Sequence, residues 1–226
     1  MSLLQLKDLS YQYEGTKNKV LQGIDVTFDT GKVYAIVGKS GAGKSTLLSL
    51  ISGLDVCTGG EITFNGNDLK TIDRDDYRAR SIGVIFQSFN LITNSTAIEN
   101  IVLSMNISGV HGKDKKKYAY ALLEKVGIDK ETSARTVLKL SGGEQQRIGI
   151  ARALSQNPDI IIADEPTGNL DTDTETAILD ILVKLAHEEN KCVIIVTHSK
   201  KVSSMADEIL GIQKGQIQLV DKGNKQ

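Results

Sequence analysis

The sequence contains no tryptophan, two prolines and two cysteines, and aromatic residues make up 4% of it. The scarcity of proline excludes collagen-like and proline-rich low-complexity chains. Cys57 and Cys192 are far apart in the sequence, so neither a disulfide framework nor a zinc or redox CxxC motif is indicated. We therefore expect a folded protein of a reducing compartment.

A charge excess and a long apolar run are also lacking. Lys and Arg total 27 against 28 Asp and Glu, a formal net charge of -1, so no global field favours a nucleic-acid partner and we expect none. Apolar runs such as 160–163 are far shorter than the ~20 residues of a membrane-spanning helix. The first residues, MSLLQLKD, do not resemble a secretory signal. We expect a cytoplasmic location, and a membrane function would require a separate spanning chain.

The 226 residues, 40% of them hydrophobic and 24% charged, suit a single globular domain. Alternating apolar residues in 3–28 predict N-terminal antiparallel strands. The apolar runs 33–37, 160–163 and 193–197 predict buried strands, and 45–51 and 172–189 have helical character. This order predicts an α/β fold with a parallel sheet.

Between the predicted strands, the segment 88–140 changes character. Residues 97–104 and 115–126 are predicted helices, and the lysine-rich run 113–117 is interpreted as the solvated start of the second. We interpret 88–140 as an inserted helical lobe within a single domain 1–226, whose core comprises 1–87 and 141–226. Residues 209–220 predict a hairpin, followed by a polar tail.

A P-loop pattern follows the strand 33–37 and opens the helix 45–51, which is the context that this motif requires. Its glycines let backbone N–H groups surround a triphosphate, while Lys44 reaches the terminal phosphates and Ser45 can bind magnesium. A merely flexible glycine loop is the alternative. The predicted nucleotide-binding residues are Gly38, Lys39, Ser40, Gly41, Ala42, Gly43, Lys44, Ser45 and Thr46.

Two adjacent carboxylates, Asp164 and Glu165, end the apolar run 160–163. Because successive side chains of a strand point to opposite sides, we expect the two acids to have different tasks. Asp164 is predicted to bind magnesium, and Glu165 to orient and deprotonate the water that attacks a γ-phosphate. The alternative is two solvated acids at a strand end.

The segment 140–147, LSGGEQQR, starts another predicted helix. Ser141 and Glu144 have the spacing of a capping box, which offers a purely structural interpretation. That interpretation leaves Gly142 and Gly143 unexplained, whereas paired glycines at a helix start expose N–H groups as a second anion site. Two phosphate-binding loops for one nucleotide suggest a head-to-tail pair of subunits.

Taken in order, GKSGAGKST, LSGGEQQR, IIIADEP and VTH closely resemble the motifs of ATP-binding cassette (ABC) ATPases across nearly the whole chain. The resemblance implies a P-loop NTPase cassette with a parallel core sheet, an N-terminal antiparallel β-subdomain and an inserted α-helical lobe. It also implies ATP and Mg²⁺ as ligands, ATP hydrolysis and an ATP-dependent homodimer.

Four further positions acquire roles only through this resemblance. Tyr13 resembles the aromatic that stacks on adenine, with Tyr11 as the competing candidate. Gln87 resembles the glutamine that contacts magnesium or the attacking water, although a polar strand terminus is the alternative. His198 resembles the histidine that touches the γ-phosphate, against the alternative of an ordinary surface or core histidine. Asp171 resembles an aspartate at the dimer interface.

DEPTGNLD and FQSFNLITNSTAIENI are similar to the branch with macrolide-efflux, lipoprotein-release, peptide-antibiotic-resistance and cell-division ATPases. Glu144 and Val137 stand where that branch often has glutamine and proline. The branch implies a membrane permease with a large extracytoplasmic domain as partner, and a subunit bound at the inner membrane face. The alternative is a non-transport ABC ATPase that regulates the cell envelope or acts with a soluble or nucleic-acid partner.

Overall fold

The computed structural model describes residues 2–109, 114–168 and 170–220. Lys113 of the lysine-rich run, Asn169 and the polar tail after Val220 lie outside these ranges. The strands are β1 (Ser2–Tyr11), β2 (Leu21–Asp29), β3 (Val33–Val37), β4 (Gly59–Phe64), β5 (Asn67–Asp68), β6 (Ile82–Ile85), β7 (Ile160–Asp164), β8 (Cys192–Val196), β9 (Glu208–Gln213) and β10 (Gln216–Val220). The helices are α1 (Lys44–Ile51), α2 (Arg74–Arg80), α3 (Ala97–Ile107), α4 (Lys115–Lys125), α5 (Lys130–Ser133), α6 (Gly142–Ala153), α7 (Thr172–His187) and α8 (Lys200–Met205), with a 3₁₀ turn at Val137–Lys139.

The N-terminal sheet is antiparallel, in the order β2-β1-β4-β5. It confirms the antiparallel strands expected from residues 3–28. Strand β4 was not predicted, because its sequence GGEITF is too short and too glycine-rich for a clear period.

The second sheet, within the described residues, has the order β10-β9-β3-β8-β7-β6. Strands β3, β6, β7, β8 and β9 run parallel, and β10 closes the predicted hairpin antiparallel to β9. Because β3, β8 and β7 are parallel neighbours, the loops after them emerge at one edge of the sheet, where α/β proteins place their ligand sites.

Each face of the parallel sheet packs into a different hydrophobic core. In β7, Ile161 and Ala163 join a cluster with the helices α3, α4, α6 and α7, whereas Ile160 and Ile162 face α1 and the antiparallel sheet. This two-sided burial explains why the central strands are continuous apolar runs instead of alternating patterns.

Helices α3, α4 and α5 and the 3₁₀ turn lie between β6 and α6 in the chain, where the lobe was expected. A capping box between Thr96 and Glu99 begins α3, and Leu122 and Leu123 of α4 belong to the cluster that covers the sheet. The predicted fold class is confirmed, while the boundaries 88 and 140 stay predictions. None of the helices within the described ranges combines the length and the apolar character needed to cross a membrane.

Candidate functional site

A cavity of about 470 Å³ opens at the edge where β3, β7 and β8 end. It brings together residues of three predicted motifs, GKSGAGKST, IIIADEP and VTH, and the two single positions Tyr13 and Gln87. Its lining consists of Tyr13, Val20, Ser40, Gly41, Gly43, Lys44, Ser45, Thr46, Gln87, Asp164, Glu165, Val196 and His198. The remaining P-loop residues, Gly38, Lys39 and Ala42, line an adjoining hollow of about 840 Å³.

The P-loop wraps the N-terminus of α1. Gly43 precedes this helix with φ 105°, and a Cβ there would lie 2.8 Å from Leu21 Cδ2, so the turn requires glycine. Lys44 is buried, and its Nζ donates to Gly38 O at 2.7 Å and to Lys39 O at 3.2 Å. The helix N-terminus and this ammonium give the cavity wall a positive potential that suits phosphate.

The two acids differ in environment. Asp164 ends β7 half-buried, and burial raises the pKa of its carboxyl group against the opposing attraction of Lys44. Glu165 accepts weak hydrogen bonds at Oε2 from Thr197 Oγ1 and from the His198 backbone N–H, both at 3.4 Å. Its Oε1 is buried and has no hydrogen-bond partner among the described residues. An unpaired buried carboxylate oxygen is costly, which favours a site built for a further donor.

The structure corrects the reason for which different tasks were expected of the two acids. Strand β7 ends at Asp164, and Glu165 has φ 46°, so the alternation of an extended strand does not extend to it. Both carboxylates therefore line the same cavity. Such a left-handed conformation costs a non-glycine residue energy and is typical of functional sites.

His198 connects the lysine and the glutamate. Its Nε2 lies 3.3 Å from Lys44 Nζ and 3.6 Å from Glu165 Oε1. Because an ammonium only donates, Nε2 acts as the acceptor in this arrangement. The imidazole is 57% exposed, which argues against the alternative of a core histidine.

Magnesium fits the residues of this cavity. Ser45, Gln87 and Asp164 contribute a hydroxyl, an amide carbonyl and a carboxylate, all of which are the hard oxygen donors that Mg²⁺ prefers. The described residues contain no cluster of three or more His, Cys, Asp or Glu that could hold a metal. A sparse donor set of this kind suits an ion that keeps waters and substrate phosphates as ligands.

The structure separates the two tyrosine candidates. Tyr11 is 9% exposed in the core, whereas Tyr13 is 46% exposed and lines the cavity, with its ring edge-to-face to that of Tyr11 at 5.0 Å. The Tyr13 hydroxyl lies within hydrogen-bond distance of Thr46 Oγ1, at 2.9 Å. Only Tyr13 offers a ring face to a base.

We expect Tyr13→Ala to raise the KM for ATP about tenfold or more, because stacking of a base on an aromatic ring contributes about 1–3 kcal/mol. Tyr13→Phe should retain most of the affinity, since it keeps the ring and loses only the contact with Thr46. Steady-state kinetics with ATP check both variants. An unchanged KM in Tyr13→Ala, or equal increases in KM in the two variants, would contradict the stacking role.

The LSGG segment lies outside the cavity of its own chain. Ser141 caps α6, and the Glu144 carboxylate accepts from the Ser141 backbone N–H at 2.7 Å, which lowers the pKa of Glu144. The expected capping box is therefore present, and Ser141 and Gly142 are exposed. A Cβ on Gly143 would lie 2.5 Å from Thr174 Cγ2 of α7, so this helix start fits closely against α7.

Asp171 also has a role within its own chain. Its side chain caps α7 by accepting from the backbone N–H groups of Asp173 and Thr174 and from Thr174 Oγ1, and these hydrogen bonds lower its pKa. Asp171 does not line the cavity, so its role at a dimer interface stays a prediction.

Sequence reasoning missed Thr197 and Glu175. Thr197 is quoted within the VTH motif, yet nothing local to the sequence indicates that its hydroxyl contacts Glu165. Glu175 lies outside every recognised motif and is identified by its side-chain contacts with Thr167, Ser199 and Lys201.

The family profile described as ABC transporter matches residues 21–168. The chain is 42% identical over 215 residues to the uncharacterized ABC transporter ATP-binding protein YclH of Bacillus subtilis (strain 168), covering 95% of both chains. It is 41% identical to the methionine import ATP-binding protein MetN 2 of Enterococcus faecalis (strain ATCC 700802 / V583), over 89% of this chain and 59% of that protein. It is 37% identical to the macrolide export ATP-binding/permease protein MacB of Hyphomonas neptunium (strain ATCC 15444), over 99% of this chain and 35% of that protein.

A solved structure extends the likeness from sequence to fold. The dimeric post-hydrolysis state of the ATP-binding cassette MJ0796, bound to ADP and Pi, superposes with a TM-score of 0.87 at 32% identity, covering 99% of this chain and 100% of that one. The motifs, the sheet order and these similarities agree. The chain belongs to the ABC transporter family, as an ATP-binding cassette.

Proposed function

We propose that this chain binds Mg-ATP, pairs head-to-tail with a second copy, hydrolyses ATP through Glu165 and thereby drives a separate membrane permease. The observation that carries the proposal is the cavity in which Lys44, Asp164, Glu165 and His198 converge, with Glu165 Oε1 buried and without a hydrogen-bond partner among the described residues. This carboxylate oxygen is free to accept a proton from water beside a loop built for phosphate.

Each residue has a task in this reaction. The P-loop N–H groups and Lys44 bind the β- and γ-phosphates. Glu165 orients the attacking water and accepts its proton, while Gln87 and His198 place the water and the γ-phosphate. Ser45, Gln87 and Asp164 would hold magnesium, which would neutralise charge at the phosphates.

The proposed homodimer follows from the position of the LSGG segment. Its exposed helix start at Gly142 can donate a backbone N–H group to phosphate, yet it does not line the chain's own cavity. A second copy placed head-to-tail would bring each LSGG segment to the other nucleotide. The dimeric state described for MJ0796 supports the pairing of two cassettes.

A surface groove of about 500 Å³ supports the proposal of a membrane partner. Phe86, Ile92, Leu103 and Ile107 line it as exposed apolar side chains, and Phe86 is adjacent to Gln87 of the nucleotide cavity. A groove of this kind suits the apolar face of a short helix, here assigned to the permease. A helix bound in this groove would contact Phe86, which is the residue next to Gln87 of the nucleotide cavity.

The names of the relatives indicate which kind of partner to expect. MacB is described as a macrolide export ATP-binding/permease protein, and its alignment spans nearly all of this chain. We propose a permease with a large extracytoplasmic domain, of exporter or mechanotransmission type, with a peptide, lipoprotein or drug as cargo. The subunit would then lie on the inner face of the membrane. MetN 2 is described as an import protein, so the permease must be identified directly.

The test is to purify a tagged Glu165→Gln variant from its native membranes in detergent, with and without ATP, and to identify co-purifying proteins by mass spectrometry. We expect a membrane protein with few spanning helices and a large outer domain. Recovery of only soluble protein or nucleic acid would contradict the proposal and favour a non-transport ABC ATPase.

Leu103→Glu, added to the tagged variant, is the matched test of the groove. Leu103 is exposed, so the change leaves the core intact while placing a charge on the apolar groove. We expect loss of the membrane protein from the purified material, with ATP-dependent dimerisation retained. Undiminished recovery of the membrane protein would exclude this groove as its docking site.

A further inference from the structure

Glu175 lies in the first turn of α7, and its side chain is 18% exposed without lining the nucleotide cavity. Its Oε1 accepts a hydrogen bond from Ser199 Oγ at 3.0 Å and a weaker one from Thr167 Oγ1 at 3.4 Å. Its Oε2 lies 3.6 Å from Lys201 Nζ. One carboxylate therefore joins three segments, namely α7 itself, the turn after β7 that contains Thr167, and residues 199–201 after β8.

Two of these segments carry residues of the proposed reaction. Ser199 follows His198 directly, and its backbone N–H donates to Thr197 Oγ1 at 2.9 Å. Thr197 Oγ1 in turn donates to Glu165 Oε2 at 3.4 Å. The backbone on both sides of His198 is thus held by hydrogen bonds, on one side through Thr197 and on the other through Ser199 and Glu175.

Glu175 also connects these hydrogen bonds to the start of α7, through its backbone. The Glu175 backbone N–H donates to Asp171 O at 2.8 Å, in the helical turn that Asp171 caps. A side chain held by three partners and mostly removed from water is less mobile than a solvated surface glutamate. It can hold the segment 197–199 in place.

We propose that Glu175 is a positioning residue, which fixes the segment 197–199 and thereby the imidazole of His198 against Lys44 and Glu165. The inference rests on the proposed ATP hydrolysis for its effect on turnover. Glu175 itself touches neither nucleotide nor water in this assignment.

The kinetic test compares Glu175→Ala, Glu175→Gln and Asp180→Ala. We expect Glu175→Ala to lower kcat about tenfold, with the KM for ATP changed less than about twofold, because one hydrogen bond to the segment is lost and no cavity wall changes. Glu175→Gln keeps an oxygen that accepts from Ser199 and should restore most of kcat. Asp180 is exposed on the same helix and makes no side-chain hydrogen bond or ion pair within the described ranges, so it is the matched control.

The second test measures the NMR signals of the His198 ring directly, without ATP. The chain has 3 histidines, so the ring signals of His198 can be assigned by NMR, and His187, which contacts Asp207 at 2.9 Å, is an internal reference. We expect the His198 ring signals to shift in Glu175→Ala and in Ser199→Ala, which removes the same hydrogen bond from its other end. The His187 signals should not move.

Unchanged His198 signals in both folded variants would overturn the positioning role. Equal losses of kcat in Glu175→Gln and Glu175→Ala would overturn the hydrogen bond as its cause. If the unmodified protein does not hydrolyse ATP, the proposed function fails, and the NMR comparison still decides the placement of His198.

Discussion

Replacing Glu165 by glutamine is expected to lower ATP turnover by about 10² to 10⁴ while ATP binding is retained. The amide keeps the shape of the side chain and its contacts near Thr197 and His198, but it cannot accept the proton of the attacking water. A variant that binds without hydrolysing should accumulate as an ATP-bound dimer. Phosphate release gives the rate, and size-exclusion chromatography with and without ATP gives the oligomeric state.

Glu188→Gln is the control for this experiment, since Glu188 is exposed at the end of α7 and does not line the cavity. Its turnover should match that of the unmodified protein. Unchanged turnover in Glu165→Gln would remove the assignment of Glu165 as the base. A loss of turnover together with a loss of ATP binding would instead indicate a structural role for this carboxylate.

Replacing Lys44 by alanine is expected to abolish most of the thermal stabilisation that ATP confers. At an ATP concentration 100 times the Kd, binding stabilises the folded state by about 2.7 kcal/mol, which for a chain of this size raises Tm by about 5–10 °C. Without the ammonium, the terminal phosphates lose the charged donor that lies over the P-loop. Thermal scans with and without Mg-ATP measure the difference.

The unliganded Tm must be measured for the same variant, because Lys44 is buried and donates to two P-loop carbonyl groups. Lys200→Ala, an exposed lysine beside the site, controls for the loss of one positive charge and should keep the full ATP-dependent shift. A full shift in Lys44→Ala would show that its ammonium contributes little to nucleotide affinity.

Much of the fold could be predicted because its central strands are buried on both faces. The short length of the apolar runs at β3, β7 and β8 favours buried strands over buried helices, and the helices α3, α4 and α7 show apolar residues at helical spacing. Helix α2 was not anticipated, since its sequence RDDYRAR buries only Tyr77 and so carries no apolar stripe. Its start depends on capping by Asp73, a local signal that polar loops also contain.

The candidate site was predicted as a set of motifs, and the structure supplies the distances between them. The conformation of Glu165 could not be predicted, because a positive φ at a non-glycine residue follows from tertiary constraint and not from local preference. The choice between Tyr11 and Tyr13 likewise required burial, which two tyrosines separated by one residue do not reveal. Glu175 was missed because its partner Ser199 belongs to a different sheet-to-helix connection.

The close approach of Gly143 to Thr174 has an evolutionary consequence. A methyl group added at position 143 would overlap the Thr174 side chain, so even alanine requires movement or a smaller residue in α7. A substitution at position 143 therefore depends on the residue at position 174: it needs either a smaller side chain there or a movement of α7 away from the start of α6. Evolutionary change at these two positions is coupled.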